Sequence, residues 1–480
     1  MHGSGRASFG YDATEPKDRR KSPGSTILNE DEYLKGELRS KLVLNASDIN
    51  RNFSLVRWAI ARHLDYISTF SFQSSTGNDE FDDKYQKLVA EWSKPANFDV
   101  QGRYSRQKSL RMVEAQRVVK GEVFTLKLSD GRFQFIESDR VRNPKDYGAL
   151  KIDKSQVVDG VVVDKAGKAL AYCVWRRLSG GRYEFERMIP AGRIIHHGYF
   201  DQFDQVRGIS PLASALNSFR DVYENFDLAL AKSKVAQMFG LVMTREALDS
   251  PGIVSEADEG DESGEACEDG SGKRKVDFGK GPVLLDLDPG EDAKFLENKT
   301  PSTEFQAFMT ASIAVAIKAL DLPFSFYDES HTNYSGSRQA LLQYNESAKI
   351  KREDNREFLD KWRSWRTALA VANGELVLPR DITLDRLHET SEWIAAGLPW
   401  IDPVKEKTAD IMGIEAGLDN PEDVCRAHGG DVYSNIDKRA KVEAYARSKG
   451  VVLKYDVSAQ AQAVMAEPSE TSTSTQREAN

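Results

Sequence analysis

Apolar residues recur at helical spacing between Glu32 and Ile67 (Leu42, Ile49, Phe53, Val56, Trp58, Ala59) and predict one or two helices. Asp82–Trp92 reads as another, stopped before Pro95. A helix from Ser105 to Gly121 then leads into short alternating or apolar runs: Val123–Leu128, Phe133–Glu137, Gly160–Asp164 and Ala171–Arg176. Arg182–Glu186 and Arg193–His197 continue the sheet. Asp130-Gly131, Tyr147-Gly148, Ala166-Gly167 and Gly180-Gly181 separate these runs as turns, several of hairpin type. The pattern predicts a compact α+β module with its own core.

Beyond Gly208 the period lengthens to that of long helices. Ser210 is a cap with Pro211 at the first helical position. Leu212, Leu216, Phe219, Tyr223, Phe226 and Leu230 follow in steps of four, three, four, three and four, close to a 3.5-residue period. Such a helix, running to about Phe239 and spanning ~45 Å, expects neighbouring helices along one seam. A buried helix of an ordinary globular enzyme fits the same pattern. Leu241–Arg245 reads as a strand entering a small module that ends near Leu296, with a second strand at Pro282–Asp286. A helix over Thr303–Leu320 returns from it, with Phe305, Phe308, Ile313, Val315, Ala316 and Leu320 as its apolar set. Ser337–Ala372 is the longest helical candidate, and Ser335 or Ser337 can cap it. Trp393–Arg447 reads as short helices broken by Gly397, Pro399, Gly417 and Gly429-Gly430. The stretches before Leu28 and after Val457 are polar and aperiodic, and read as disordered tails.

A chain of 480 residues exceeds one typical core, so two or more subdomains are expected. The net charge of -9 argues against a protein that grips nucleic acid over its whole surface, because phosphate neutralisation needs a clustered basic excess. It leaves room for a protein past which DNA slides, where weak adhesion serves better than a deep electrostatic well. Cys173, Cys267 and Cys425 have neither disulfide-frame nor zinc spacing and read as reduced thiols. The amino-terminal stretch lacks the apolar centre of a signal peptide, and no run of about 18 apolar residues is long enough to span a membrane.

Three places invite a chemical reading. Gly270–Arg274 superficially suggests a phosphate loop, but Cys267 stands where the leading glycine belongs and Arg274 where Ser or Thr should follow the lysine. The eight carboxylates of Glu256–Asp269 would also repel a triphosphate. His196-His197, with Asp201 and Asp204, suggests metal ligands, yet adjacent strand residues face opposite ways, which predicts one packed and one exposed histidine. No compact carboxylate cluster of the two-metal nuclease kind stands out. No catalytic residue, metal or cofactor is expected. Gly208 is expected to supply a positive φ or a close backbone approach at its corner.

Three stretches carry a resemblance. The first is Leu320-Asp-Leu-Pro323 followed by Asn333-Tyr-Ser-Gly-Ser-Arg338; the second is His197–Ala213, containing Gln205-Val-Arg-Gly-Ile-Ser-Pro211. The third is Pro399–Glu406 with Gly417-Leu418 and Glu422–Asp431. In wording, order and spacing they resemble lambda-type tailed-phage portal proteins, over roughly Asp31 to Tyr455. The resemblance implies a portal-type α+β protomer in a ring of twelve copies. Along the chain it implies a wing (29–208), a stem helix (209–240), a clip (241–300) and a second stem helix (301–321). A tunnel loop (322–337), a spine helix with wing return (338–392) and a crown (393–456) follow. The seam from Leu212 to Leu230 would be the stem. Ser330, His331, Thr332, Asn333, Tyr334, Ser335 and Ser337 would face a DNA channel, joined by Arg338, Lys349 and Arg352 of the following helix. Those cations could equally pair with Glu346, Glu353 or neighbouring subunits. Arg245, Lys273, Arg274, Lys275 and Lys280 of the clip would dock a motor or connector. The implied partners are further copies of the chain, double-stranded DNA, the terminase large subunit, major capsid and scaffold proteins, and head-completion adaptors. No membrane is implied: the protein would be assembled in the host cytoplasm and end at a capsid vertex. The acidic insertion 256–269 departs from the family pattern. A DNA-processing enzyme of the packaging machinery, or a virion protein without a channel, are the competing classes.

Overall fold

The computed structural model describes residues 28–238, 241–245, 291–295, 302–328, 334–397, 402–451 and 453, and side chains at 235–245, 291–295 and 334–335 lie outside that description. The two tails, the acidic insertion and the phosphate-loop-like run therefore lie outside the described residues, as does the strand expected at 282–286.

The chain divides into two units, residues 1–219 with 314–480, and residues 220–313. The first begins with helices α1 (Glu30–Tyr33), α2 (Glu37–Asn52) and α3 (Ser54–Ile67), followed by strand β1 (Phe70–Ser74). Helices α4 (Asp79–Trp92), α5 (Pro95–Phe98) and α6 (Arg106–Lys120) come next. Asn78 and Ser105 cap α4 and α6 by accepting backbone N–H bonds in the first turn, and Gly121 ends α6 at φ +91°. The strand-rich stretch is β2 (Glu122–Lys127), β3 (Phe133–Glu137), β4 (Val157–Val158), β5 (Val161–Val163), β6 (Ala169–Arg177), β7 (Tyr183–Pro190) and β8 (Ile194–Gly198). Alternation alone predicts one continuing sheet; the strands form two. They are an antiparallel β3-β2-β8 sheet and a β4-β5-β6-β7 meander. Pattern finds strands, whereas the partner of each strand is fixed by which apolar face must be covered.

The largest core joins residues distant in sequence: Phe70, Tyr85, Trp92, Phe98 and Phe133 meet Phe358, Trp362 and Trp393. Trp393 lies on β11 (Ser391–Ala395), which pairs antiparallel with β1 in the register Phe72↔Trp393. Trp393–Arg447 was expected to be helical from its start; residues 391–395 are instead a strand, because β1 supplies a hydrogen-bonding edge some 320 positions away that local periodicity cannot reveal. Helix α10 (Leu384–Glu389) precedes β11, and α11 (Pro403–Glu415), α12 (Pro421–Ala427) and α13 (Val432–Ser448) follow it.

Helix α7 (Leu216–Met238) starts later than Ser210-Pro211 suggests. Ser210 Oγ does accept the Leu212 N–H at 3.1 Å, but the turn it caps, Pro211–Ser214, is a 3-10 turn, and α geometry begins at Leu216. Beyond Phe219 this helix belongs to the second unit. That unit also holds the antiparallel pair β9 (Leu241–Arg245) and β10 (Glu291–Phe295), and most of α8 (Thr303–Ala316). Helix α8 tightens into a 3-10 turn over Ile317–Leu320. The longest element is α9 (Tyr334–Ala372), 39 residues. It begins before both expected caps, so Ser335 and Ser337 sit inside its first turn, where N–H groups need no intrahelical partner.

Candidate channel-loop site

Helix α8 ends because Asp321 adopts a left-handed conformation (φ 60°, ψ 14°) and Pro323 cannot continue the ladder. Ile317, Leu320 and Leu322 are fully buried at this corner. The Asp321 carboxylate accepts Ser347 Oγ at 2.6 Å and Lys351 Nζ at 2.7 Å, both on α9. Lys351 also donates to the Leu320 carbonyl at 3.3 Å. Partial burial alone would raise the pKa of Asp321, but the bonds from Lys351 and Ser347 outweigh it and hold the carboxyl below its ordinary value.

A 3-10 turn over Phe324–Phe326 then carries three rings into an aromatic cluster. Phe326 stacks on Tyr66 (centroids 5.7 Å apart) and meets Tyr344 edge-on (5.4 Å), while Tyr327 lies edge-on to Trp58 (6.0 Å). The 324–327 turn that leads to Asp328 is thus fixed to α3, and through Tyr344 to α9. Of the residues expected to face a channel, Ser330, His331, Thr332 and Asn333 lie outside the described residues. Tyr334 and Ser335 are described only as the first backbone positions of α9.

The cationic residues of α9 do come together. Arg338, Lys349 and Arg352 line one concavity of about 620 Å³, with Leu342, Asn345 and Arg356 between and beyond them. Their numbers advance by 4, 3, 4, 3 and 4 from 338 to 356, so the stripe follows one face for five turns. Arg356 extends that stripe and Arg426 faces it from α12; neither was singled out from the sequence. The spacing was legible for Arg356, whereas nothing local to Arg426 announced it.

Each cation is already engaged. Lys349 pairs with Glu346 at 2.7 Å, and Arg338 reaches Glu406 at 4.0 Å. Arg352 donates to the Tyr66 carbonyl at 2.7 Å and to Asn345 Oδ1 at 3.1 Å. Arg356 donates to the Trp393 carbonyl, and Arg426 to Glu392 and Glu422. A surface so neutralised offers donors without a deep potential well.

Two buried networks lie in the same unit, and the first of them reaches α9. Glu114, wholly buried, accepts from Arg117 Nη1 at 2.9 Å and from the Tyr199 hydroxyl, and lies 3.4 Å from His63 Nε2. Arg117 also abuts His197 and reaches Asp354, while Asn355 of α9 contacts His197 and donates to the Ile67 carbonyl at 3.2 Å. Burial pushes Glu114 up, but the charge of Arg117 and the His63 bond overcome that and keep it ionised. In the second network Glu122 receives Arg207 Nε at 2.7 Å, Gly208 N at 2.8 Å, Ser138 Oγ at 2.8 Å and His196 Nε2 at 2.8 Å. The expectation of one packed and one exposed histidine is corrected here. The two rings do point opposite ways, but His196 is covered by Phe124, stacked at 4.4 Å, and is not free in solvent. No group of three metal-binding side chains exists among the described residues, and no described helix is long and apolar enough to cross a membrane.

A model of the family described as phage portal protein, lambda family, matches residues 33–352, well over half of the chain. The chain belongs to the lambda family of phage portal proteins. This bears out the resemblance drawn from the three motifs, and makes the protein a virion component. A curated relative, the "Probable portal protein" of Halomonas phage phiHAP-1, is 26% identical over 384 residues, which are 74% of this chain and 70% of that one. Among solved structures, a chain of the native gene transfer agent virion covers 78% of this chain and 89% of its own, at 14% identity and a TM-score of 0.42. A chain from the neck of the native gene transfer agent particle, computed with C12 symmetry, has the same coverage at 15% identity and a TM-score of 0.43. In this portal protein the motif residues Arg207 and Gly208 serve the buried Glu122 network, and the Leu-Pro motif builds the corner that fixes the loop.

Proposed function

We propose that this portal protein closes into a ring of like copies, twelve as the family resemblance implies, around a hole through which double-stranded DNA passes. One observation carries the reading. On the apolar seam that runs from the Pro211–Ser214 turn into α7, Leu212, Leu216 and Phe219 are buried within a single copy, whereas Tyr223, Phe226 and Leu230 are 44%, 45% and 53% exposed. A helix with a regular apolar seam that its own chain half covers needs another chain, and head-to-tail repetition of one such contact generates a ring. The carboxy-terminal helices support it: α11, α12 and α13 bury one residue among them, Ala446, while Val404, Ile411, Met412, Tyr433, Ile436 and Tyr445 are exposed.

On this reading the 328–337 loop projects into the channel and the Arg338–Arg356 stripe forms its wall, touching phosphates weakly. The 241–300 module docks the terminase large subunit and later the head-completion proteins. Residues 393–456 face the capsid interior, and assembly with capsid and scaffold proteins occurs in the host cytoplasm. The protein catalyses nothing; the motor supplies the energy. Electron microscopy of the purified protein tests this. Rings with a duplex-wide hole are expected, and a population of monomers or closed dimers overturns the reading. ATP turnover or metal-dependent DNA cleavage by the pure protein would overturn its non-catalytic part.

A further inference from the structure

Phe203 has its ring wholly in solvent, at 114% of the reference exposure. It does not sit on a loose loop. Gln205, itself buried, accepts the N–H groups of Asp201 (2.8 Å) and Gln202 (3.3 Å) at Oε1. Its Nε2 donates to the Arg207 carbonyl at 2.7 Å and to that of Tyr199 at 3.4 Å. Buried Asp31 accepts the N–H groups of Val206 and Arg207. Two buried side chains therefore fix the backbone on either side of an aromatic ring that touches nothing. Asp201 and Asp204 flank it, both exposed, and neither forms an ion pair among the described residues.

The same unit carries a matching socket. A concavity of about 400 Å³ lies between the 144–150 loop and the β6–β7 hairpin, lined by Pro144, Leu150, Trp175, Leu178, Tyr183 and Phe185. Glu184 is ion-paired, whereas Asp146 forms no ion pair among the described residues. Asp146 accepts the Ala149 N–H at 3.0 Å, and Glu184 pairs with Arg176 at 2.7 Å. Lys145, exposed on the rim, has no partner among the described residues. The socket thus offers aromatic walls, with Lys145 and the neighbouring Asp146 exposed at its rim. The knob offers one aromatic ring and two uncompensated negative charges.

We propose that Phe203 of one copy seats in the Trp175–Phe185 socket of the adjacent copy, with Asp201 or Asp204 meeting Lys145. Knob and socket are different surfaces of one chain, so the contact is heterologous and repeats head to tail. A preorganised aromatic anchor in an apolar pocket, with charges at the rim, is the usual composition of an interface hot spot. The proposal deepens the ring reading, which rests separately on the α7 seam.

Cysteine pairing tests it, in protein carrying Cys267→Ser and Cys425→Ser. A Phe203→Cys, Leu178→Cys double variant is expected to give a ladder of disulfide-linked multimers. The two single variants mixed should stop at dimers, and each alone should give none. Phe203→Ser, at a site that cannot affect folding of the copy, should raise the concentration for half-assembly about tenfold or more with an unchanged circular dichroism spectrum. Rings that form normally without this cross-link, or with Phe203→Ser assembling like the parent, overturn the contact and leave the ring reading standing. Cross-linking in copies that close no ring supports the contact and sinks the ring reading. Absence of both overturns both.

Discussion

Gly208 and Gly121 meet backbone to backbone: a Cβ on Gly208 would lie 2.5 Å from the Gly121 carbonyl oxygen and 2.8 Å from Glu122 Cβ. Gly121 ends α6 and its carbonyl accepts the Tyr199 N–H at 2.9 Å, so the approach fixes the corner from which the chain enters the Ser210 turn. Gly208→Ala must displace backbone rather than a flexible side-chain end. A loss of at least ~2 kcal/mol in denaturant unfolding is expected. Gly36→Ala is the contrast. That residue has φ +69° and ψ −123° with nothing within 4 Å of the added carbon, so its cost, about 1–3 kcal/mol, comes from its own backbone strain and not from a clash.

Arg207, beside that glycine, neutralises Glu122 where neither side chain reaches water. It also donates to the carbonyls of Ser138, Val141 and Asp159. Arg207→Met would leave Glu122 buried without a counter-charge, and a loss of about 3–5 kcal/mol is expected. Adding Glu122→Leu removes the orphaned charge and should recover part of it. If the double variant unfolds at the same denaturant concentration as the single one, the pairing does not account for the loss.

The first two motifs were legible because they are local. Leu322-Pro323, Gly208 and the Ser210-Pro211 pair each determine backbone within a few residues, and the Arg338–Arg356 stripe follows from helical period alone. What escaped was set by partners far along the chain. Phe70–Ser74 and Ser391–Ala395 carry no strong strand signal singly and become strands by pairing with each other. Glu114, Glu122 and His196 look like surface residues in the sequence. Only the folded chain places Arg117 and Arg207 beside the two glutamates and so permits their burial.

The Glu114 network makes stability depend on pH. Burial lowers the proton affinity of His63, against partial support from Glu114, with Tyr344, Lys351 and Arg117 also facing it. Burial and the Arg117 charge lower that of His197 further, with Glu114 and Asn355 opposing and Lys361 adding to the effect. Both rings are therefore neutral in the fold at a pH where the unfolded chain already binds protons at its ordinary value of 6.5. Their contribution is complete above that pH and falls away below it, by up to about 1.4 kcal/mol per pH unit for each histidine. Glu114 has the opposite protonation chemistry but the same sign of effect. Its carboxyl is held below the ordinary 4.5, so its contribution is present above that value and lost beneath it. Urea midpoints between pH 8 and 5 should be flat to about pH 7 and then decline. Burial and the Arg363 charge lower the proton affinity of His388 as well, so His197→Gln should remove only part of the slope, and an unchanged slope would mean that the ring titrates normally.

The half-covered seam of α7 separates folding from assembly. Phe226 and Leu230 are about half exposed, so Phe226→Ser with Leu230→Ser removes far less packing within one copy than a core change, and the unfolding free energy of the isolated chain should stay within about 1 kcal/mol of the parent. Leu216 and Phe219 lie on the same seam but are 8% and 0% exposed. Phe219→Ser should therefore destabilise the single copy by ~3 kcal/mol or more. Sedimentation of the exposed pair should show folded, smaller species in place of rings. If that pair assembles as fully as the parent, some other surface closes the ring and the regular spacing from Leu212 to Leu230 is not its seam.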